Sequence, residues 1–373
     1  MFVAADALPS AVAFDDWVYA QDSAYRLVLV NGRFDPQLSY LPENEAVTLV
    51  AISQLNDGQR AFCQDYLAHS HEFNQDAFDE LNRAITHDGY LLQVAANTRV
   101  DHPIEVLYLN QPGERSALAA TRSLIVLESG AEATVLEHFT GDHDTVYFHN
   151  GLTRVELKNN ARLTHHRLQD DSRKAYHLHR VYLSQQASSH YQGFSLSSGA
   201  DWSRADSVVN LDGEGAECHL RGIYTITDRQ YNDMHLDVRH LKPHCRSSER
   251  FNGVLAGAGR AVFDGRILIE QDAQKSDAAL SNRNLLLAES AEIDTKPQLE
   301  IYADDVKASH GTTVGRIDPD QLFYCKARGI SEDKAMHLLC LGFAEQVTRD
   351  IEDEALLAAV HQRIDGVLDK AGR

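Results

Sequence analysis

A short turn of small residues returns along the middle of this chain at nearly even intervals. Segments with β-branched or aromatic residues at every second position lie between the returns. The turns are Gly130-Ala131-Glu132-Ala133, Asn160-Ala161-Arg162, Gln186-Ala187-Ser188 and Gly215-Ala216-Glu217, and their central alanines are 30, 26 and 29 residues apart. Gly259-Arg260-Ala261 and Ser290-Ala291-Glu292 repeat the step of 30, while the register between 216 and 261 is broken. A fixed period of this length, filled by strands, marks a solenoid whose rungs bury their inward side chains against one another. A βαβ sheet would need amphipathic crossover helices, and residues 90–325 show none. A β-sandwich or barrel is the other option, but Asn-Gly occurs in that span only at 150–151 and 252–253, too rarely to turn a series of hairpins. The expected fold class is mainly β, with a β-helix core over 90–325.

Two regions of different pattern flank that core. Residues 1–89 read as mixed α/β. Tyr25–Val30 followed by Asn31-Gly32 predicts a strand closing in a turn. Asp76–Thr86 predicts a helix with Phe78, Leu81 and Ile85 on one apolar face, stopped by Asp88-Gly89. Residues 326–373 read as helical. Ser331 is the expected N-cap, with Glu332 and Asp333 suiting the positive end of the helix dipole. Met336, Leu339, Cys340, Phe343, Val347 and Ile351 form one stripe, and Leu356, Leu357, Val360, Ile364 and Leu368 a second. Each stripe needs a covering surface, either the β-core, the other helix or a partner.

Composition narrows the function. With 373 residues and 43% hydrophobic content, the chain is long and apolar enough for a sizeable core. A formal charge of −20 repels phosphate, so neither nucleic acid nor an anionic membrane is an expected partner. Five scattered cysteines, at 63, 218, 245, 325 and 340, contain no CxxC pair and read as reduced thiols in the cytoplasm. Asp6, Asp15 and Asp16 precede any basic residue, which is unlike a secretion signal, and no apolar run approaches the roughly 18 residues of a membrane span.

Few motifs carry chemistry. Gly253, Gly257 and Gly259 lack the lysine of a phosphate loop. Gly193-Phe194-Ser195-Leu196-Ser197 lacks the last glycine of a nucleophile elbow, so Ser195 reads as a turn serine. Among nineteen histidines, His177 and His179 lie two apart on a strand and share a face, with His165, His166 and His190 nearby. That pattern would suit a metal-dependent β-helix or cupin-like enzyme. The glutamate such a centre wants is missing from 181–186, and a solvated polar stripe is the plainer reading. Asp170-Asp171 and Asp304-Asp305 are adjacent, so on a strand each pair faces opposite ways and forms no acid–base dyad.

The most specific segment runs from Asp294-Thr295-Lys296-Pro297 through Tyr302-Ala303-Asp304-Asp305 to His310-Gly311-Thr312-Thr313-Val314-Gly315-Arg316. It resembles the signature of the SufB/SufD family of iron–sulfur cluster assembly scaffolds. Gly259–Gly265, Phe323-Tyr324, Ala327–Ile330 and Gly130–His138 extend the match. The resemblance runs from about residue 100 to the C-terminus, with a weaker match over Arg26–Phe34. Within the family the chain is more similar to the SufD branch, because Ala308 stands where SufB-like members carry a cysteine. Members usually begin with an additional helical stretch, and this chain reaches the Arg26 strand early.

The resemblance implies a right-handed parallel β-helix that acts as a non-enzymatic scaffold in the cytoplasm. It implies pairing with a SufB-like scaffold through the β-helix ends, and docking of a SufC-like ABC ATPase on the C-terminal helices. ATP would belong to that partner and not to this chain. Met336, Leu339, Phe343, Val347, Leu357, Val360 and Ile364 would then be partner-binding residues. His310 would sit at the subunit interface as a ligand to iron or to a transient iron–sulfur cluster, chemistry that suits a neutral imidazole. Self-association through the same strands, as in a SufB-like homodimer, is the alternative for the isolated chain. Nothing in the sequence assigns a flavin or an electron donor to it.

Overall fold

The computed structural model describes residues 25–68, 77–111, 116–142 and 144–371. Asp6, Asp15, Asp16 and Asp76 lie outside them. The core is a parallel β-solenoid of about eight turns. The chain alternates between two facing sheets, one of ten strands and one of nine, so that from Ala117–Leu127 to Asp277–Leu286 each strand pairs with the strands two places before and after it. Most rungs use strands of nine to eleven residues in unbroken register, as where Tyr176–Gln185 lies between Tyr147–Leu157 and Trp202–Leu211.

The turns stack as well as the strands. At one edge, Arg162 N–H donates to Ala131 O at 2.8 Å and His190 N–H to Ala161 O at 2.8 Å. Glu217 N–H donates to Ser189 O at 2.9 Å, and Arg246 N–H to Ala216 O at 3.0 Å. The turn column is therefore Ala131, Ala161, Ser189 and Ala216, and Ser189 holds the place expected for Ala187. Preceding it is a column in the left-handed region, which includes Gly130, Asn160, Ser188 and Gly215. At the opposite edge, Tyr231 N–H donates to Asp201 O at 2.9 Å, Arg260 N–H to Gln230 O at 2.9 Å and Glu292 N–H to Gly259 O at 3.0 Å. Gly259 and Ala291 thus belong to a second turn column, and Ala261 lies inside the Arg260–Ile269 strand. The broken register in the sequence is the jump from one edge to the other.

The strands Tyr25–Val30, Val47–Ala51 and Tyr90–Val94 of the N-terminal part join the two sheets of the solenoid. Tyr25–Val30 pairs in parallel with Ile104–Asn110. It turns through Asn31 and Gly32, at φ 50° and 77°, into the short strand Arg33–Phe34. Helices α1 (Asp57–Ala68) and α2 (Ala77–Ile85) lie on the outer face of the nine-stranded sheet. The face of α2 differs from the expected one: Ile85 is half-buried and the Phe78 ring touches Phe148 and Trp202. Phe78 and Leu81 are exposed, while Asp79 and Asn82 are buried. The strand carbonyls beneath need a donor, and Asn82 Nδ2 supplies it to Asn150 O at 2.7 Å and Thr121 O at 3.2 Å.

Three helices follow the last strand: α3 (Pro319–Ala327), α4 (Glu332–Thr348) and α5 (Glu354–Ala371). The helical region thus starts at Pro319, ahead of the expected 326. Ser331 does cap α4 in an extended conformation, although its side chain makes no capping bond. Helices α4 and α5 pack on the outer face of the ten-stranded sheet. Cys340, Ala344, Val347, Leu356, Val360 and Ile364 meet Leu136, Leu168, Phe194, Leu196, Ile223 and Leu285 there. Burying each large aliphatic chain contributes about 1.5–3 kcal/mol, so this contact holds the helices to the solenoid. The Arg363–Asp170 and Arg221–Asp350 ion pairs join the same surfaces. Val347, Val360 and Ile364, expected to meet a partner, are therefore buried within the chain. Met336, Leu339, Phe343 and Leu357 are half-buried.

Candidate functional site

Every inner strand of the solenoid has a neighbour on both sides. The final strands, Glu292–Ile301 and Lys307–Gly315, have one on a single side among the described residues. Their outer edges present unpaired backbone N–H and C=O groups, a ready template for another strand. Ile301, Tyr302 and Val314 are exposed there, Tyr302 by 62%.

His310 lies in this last rung. It pairs in register with Leu280, which points into the core. His310 continues that inward column, but no further rung covers it among the described residues, and it is exposed. Ala308 pairs with Ala278 two places earlier and packs partly against the core. An exposed imidazole at the mouth of an inward column can ligate a metal ion whose other ligands come from a facing surface.

The other expected histidines are far from this end. His177 and His179 do share a face, and that face is the solenoid interior. Both are buried, which makes them neither a solvated stripe nor an open metal centre. Their rings stack with His149 at centroid distances of 5.1 and 5.9 Å and with each other at 6.2 Å. Burial, helped by the His177 charge, lowers His149 to about 3; burial and neighbouring cations hold His179 well below its ordinary value. His177 Nδ1 lies 2.9 Å from the buried Asp171. Asp170 faces outward to Arg363, so the two aspartates do point opposite ways. Among the described residues, no group of three or more His, Cys, Asp or Glu is placed to hold a metal ion. His166 faces outward onto the helical side, and His190 is half-buried 3.2 Å from Glu217. The five cysteines are free, and all but Cys325 are buried.

Sequence reasoning missed an interior polar network centred on Glu137. Tyr90 and Tyr108 each donate to Oε1 at 3.0 Å, and Thr153 donates at 2.9 Å. His165 Nε2 lies 3.0 Å from Oε2, and Arg167 Nε lies 3.5 Å from it. Burial alone would raise the Glu137 carboxyl. The His165 hydrogen bond and charge, with Arg167 and Thr153, outweigh it and hold the group at about 2. The available signal was parity: Glu137 lies two residues after the inward Val135, and Arg167 two after His165.

The chain is similar along most of its length to one group of proteins. Residues 108–343 match the model of the SUF system FeS cluster assembly, SufBD core domain, and residues 20–106 that of the SufBD protein N-terminal region. The N-terminal match is thus broader than the Arg26–Phe34 resemblance. The iron–sulfur cluster assembly protein SufD of Escherichia coli is 33% identical over 349 residues, covering 91% of this chain and 79% of that protein. An iron–sulfur cluster assembly SufBD family protein of Synechocystis is 31% identical, covering 97% and 81%. SufD of Bacillus subtilis is 26% identical, covering 74% and 63%.

Proposed function

The chain belongs to the SufBD family of SUF-system iron–sulfur cluster assembly proteins, and from that membership we propose that it is a SufD-like, non-enzymatic scaffold subunit. It pairs with a SufB-like scaffold through the open last rung and presents His310 as a ligand to the iron or nascent cluster that the complex builds. The observation that carries this reading is the uncovered inward column ending at His310, flanked by exposed Ile301, Tyr302 and Val314. A facing solenoid of the same kind would extend both sheets and bury those side chains. One imidazole is a partial ligand set, which suits a site that assembles only when two subunits meet and releases its product afterwards.

A SufC-like ATPase docks on the helical region, and the exposed candidates there are Phe323, Tyr324 and Leu338. The buried Val347, Val360 and Ile364 support that surface from beneath. Free cysteines suit a reducing cytoplasm. No described helix is long and apolar enough to cross a membrane.

The test is co-expression with the cognate SufB-like and SufC-like chains, followed by iron and acid-labile sulfide per complex for wild type and His310→Ala. The reading expects both complexes to assemble and iron to fall only in the variant. Equal iron in both assigns the ligands to the partner. Failure of the wild-type complex to form removes the pairing altogether, and a stable homodimer in its place would favour self-association through the same edges.

A further inference from the structure

Midway along the solenoid, between the sheets, lies a cavity of about 70 Å³ that the scaffold reading does not use. Arg167, Gln169, Ser195, Ser197, Ser203 and Ser207 are among its lining residues. Its origin is a change of side-chain size along the inward columns. One column runs His165–Gly193–Leu220, the next Arg167–Ser195–Gly222–Phe251, and the facing one Val181–Ser207–Leu236. Gly193, Ser195, Ser207 and Gly222 are the small members; the Phe251 ring fills the space over Gly222, which leaves the rung of Gly193, Ser195 and Ser207 hollow. Ser195 is thus an inward strand residue, not a turn serine. A buried water needs roughly 10–15 Å³ on this measure, so the space admits several waters or one small polyatomic ion.

The lining holds two buried donors without a hydrogen bond among the described residues, Arg167 Nε and Gln169 Nε2, and one such acceptor, Asn232 Oδ1. The Arg167 side chain is 14% accessible. Its Nε lies 3.5 Å from Glu137, and its guanidinium makes no hydrogen bond to any described residue. Glu137 is not part of the cavity wall, and its oxygens are occupied by Tyr90, Tyr108, Thr153 and His165. Gln169 Oε1 accepts from Ser197 Oγ, while Gln169 Nε2 is buried with no partner among the described residues. His165 and His177 also border the space; His165 is engaged by Glu137 and Tyr191, and His177 lies against Asp171. Arg167, whose charge Glu137 already balances from one side, and the free amide N–H of Gln169 border the same mostly apolar void, where a further acceptor of negative charge would meet both.

We propose that this cavity binds one small inorganic oxyanion, held by Arg167 and Gln169. The site is independent of the last rung and of any partner. The probe is inorganic phosphate, titrated into the purified full chain at ionic strength held constant with sodium chloride. Wild type is expected to show a saturable rise in Tm. Ser207→Val fills the void without touching a charge, so it should fold normally and lose the phosphate response. Arg167→Gln should weaken the apparent phosphate affinity by roughly tenfold or more, and Ser207→Val keeps the test alive if Arg167→Gln does not fold. Crystals soaked in selenate should show an anomalous peak beside Arg167. The proposal falls if wild type shows no saturable rise, if Ser207→Val responds as wild type does, or if the cavity density is water only.

Discussion

His310 stands in register with Leu280, one rung further along the same inward column, yet Leu280 is 2% exposed and His310 faces solvent. The same position is core in one rung and surface in the next. Leu280→Ala should therefore cost about 2–5 kcal/mol of unfolding free energy in the isolated chain. His310→Ala should stay within about 0.5 kcal/mol. Denaturant titration of the two variants checks the contrast. Equal losses would mean that the last rung is covered in solution.

Two rungs deeper in that column, Glu249 lies between Leu220 and Leu280. Its oxygens are buried with no well-formed hydrogen bond among the described residues. Burial, opposed by the nearby Ser247 and its own backbone N–H, raises the carboxyl to about 8. The native state thus keeps a proton that the unfolded chain releases near its ordinary 4.5. Stability from this group is full below about 4.5 and falls as pH rises towards 8. Glu249→Gln should flatten the decline of Tm between pH 5 and pH 8 and be the more stable protein at the upper end. Parallel Tm profiles for the two proteins would refute this.

The solenoid was legible because its period is local and repeated, and the C-terminal helices because their stripes are amphipathic. Ser189 escaped notice because the stacked turn position tolerates any small residue, so alanine alone is a poor marker. The early rungs hid their parity: Ile104–Asn110 is buried on both faces, since neighbouring elements cover the outside. The burial of Asn82 in place of Leu81 was invisible because Asn82 answers carbonyls that lie 39 and 68 residues away in sequence. The Glu137 network and the hollow rung beside Arg167 depend on register between strands, which a single pass along the chain does not give. His310 was found through resemblance, and its geometry could be read only once Leu280 lay beneath it.

Glu137 and Arg167 form a charge pair inside the solenoid, so the loss of one leaves the other buried and unbalanced. Glu137→Gln should destabilise the chain by about 3–5 kcal/mol, more than an ordinary surface carboxylate would. The wild-type group is held at about 2, below its ordinary 4.5. Its contribution is complete above about 4.5 and disappears as the pH falls towards 2. Acid unfolding followed by circular dichroism should begin at higher pH in Glu137→Gln, because the variant starts closer to the threshold. An unchanged acid midpoint would mean that the hydroxyls of Tyr90, Tyr108 and Thr153 hold the region without the charge.

The C-terminal helices separate a buried face from an exposed one, and the two should fail differently. Val360 and Ile364 pack with Phe194, Leu196 and Ile223, so Ile364→Ala should cost about 2–5 kcal/mol at that contact. Hydrogen exchange should then speed up in α4 and α5 while the strands stay protected. Phe323 is 72% exposed, and Leu338 is also exposed. Phe323→Ser with Leu338→Ser should leave Tm within a few degrees of wild type and exchange unchanged. If the SufC-like ATPase docks there, its co-purification should drop sharply in that double variant. Capture at the wild-type level would move the docking surface away from this face, towards the half-buried Met336, Leu339 and Leu357.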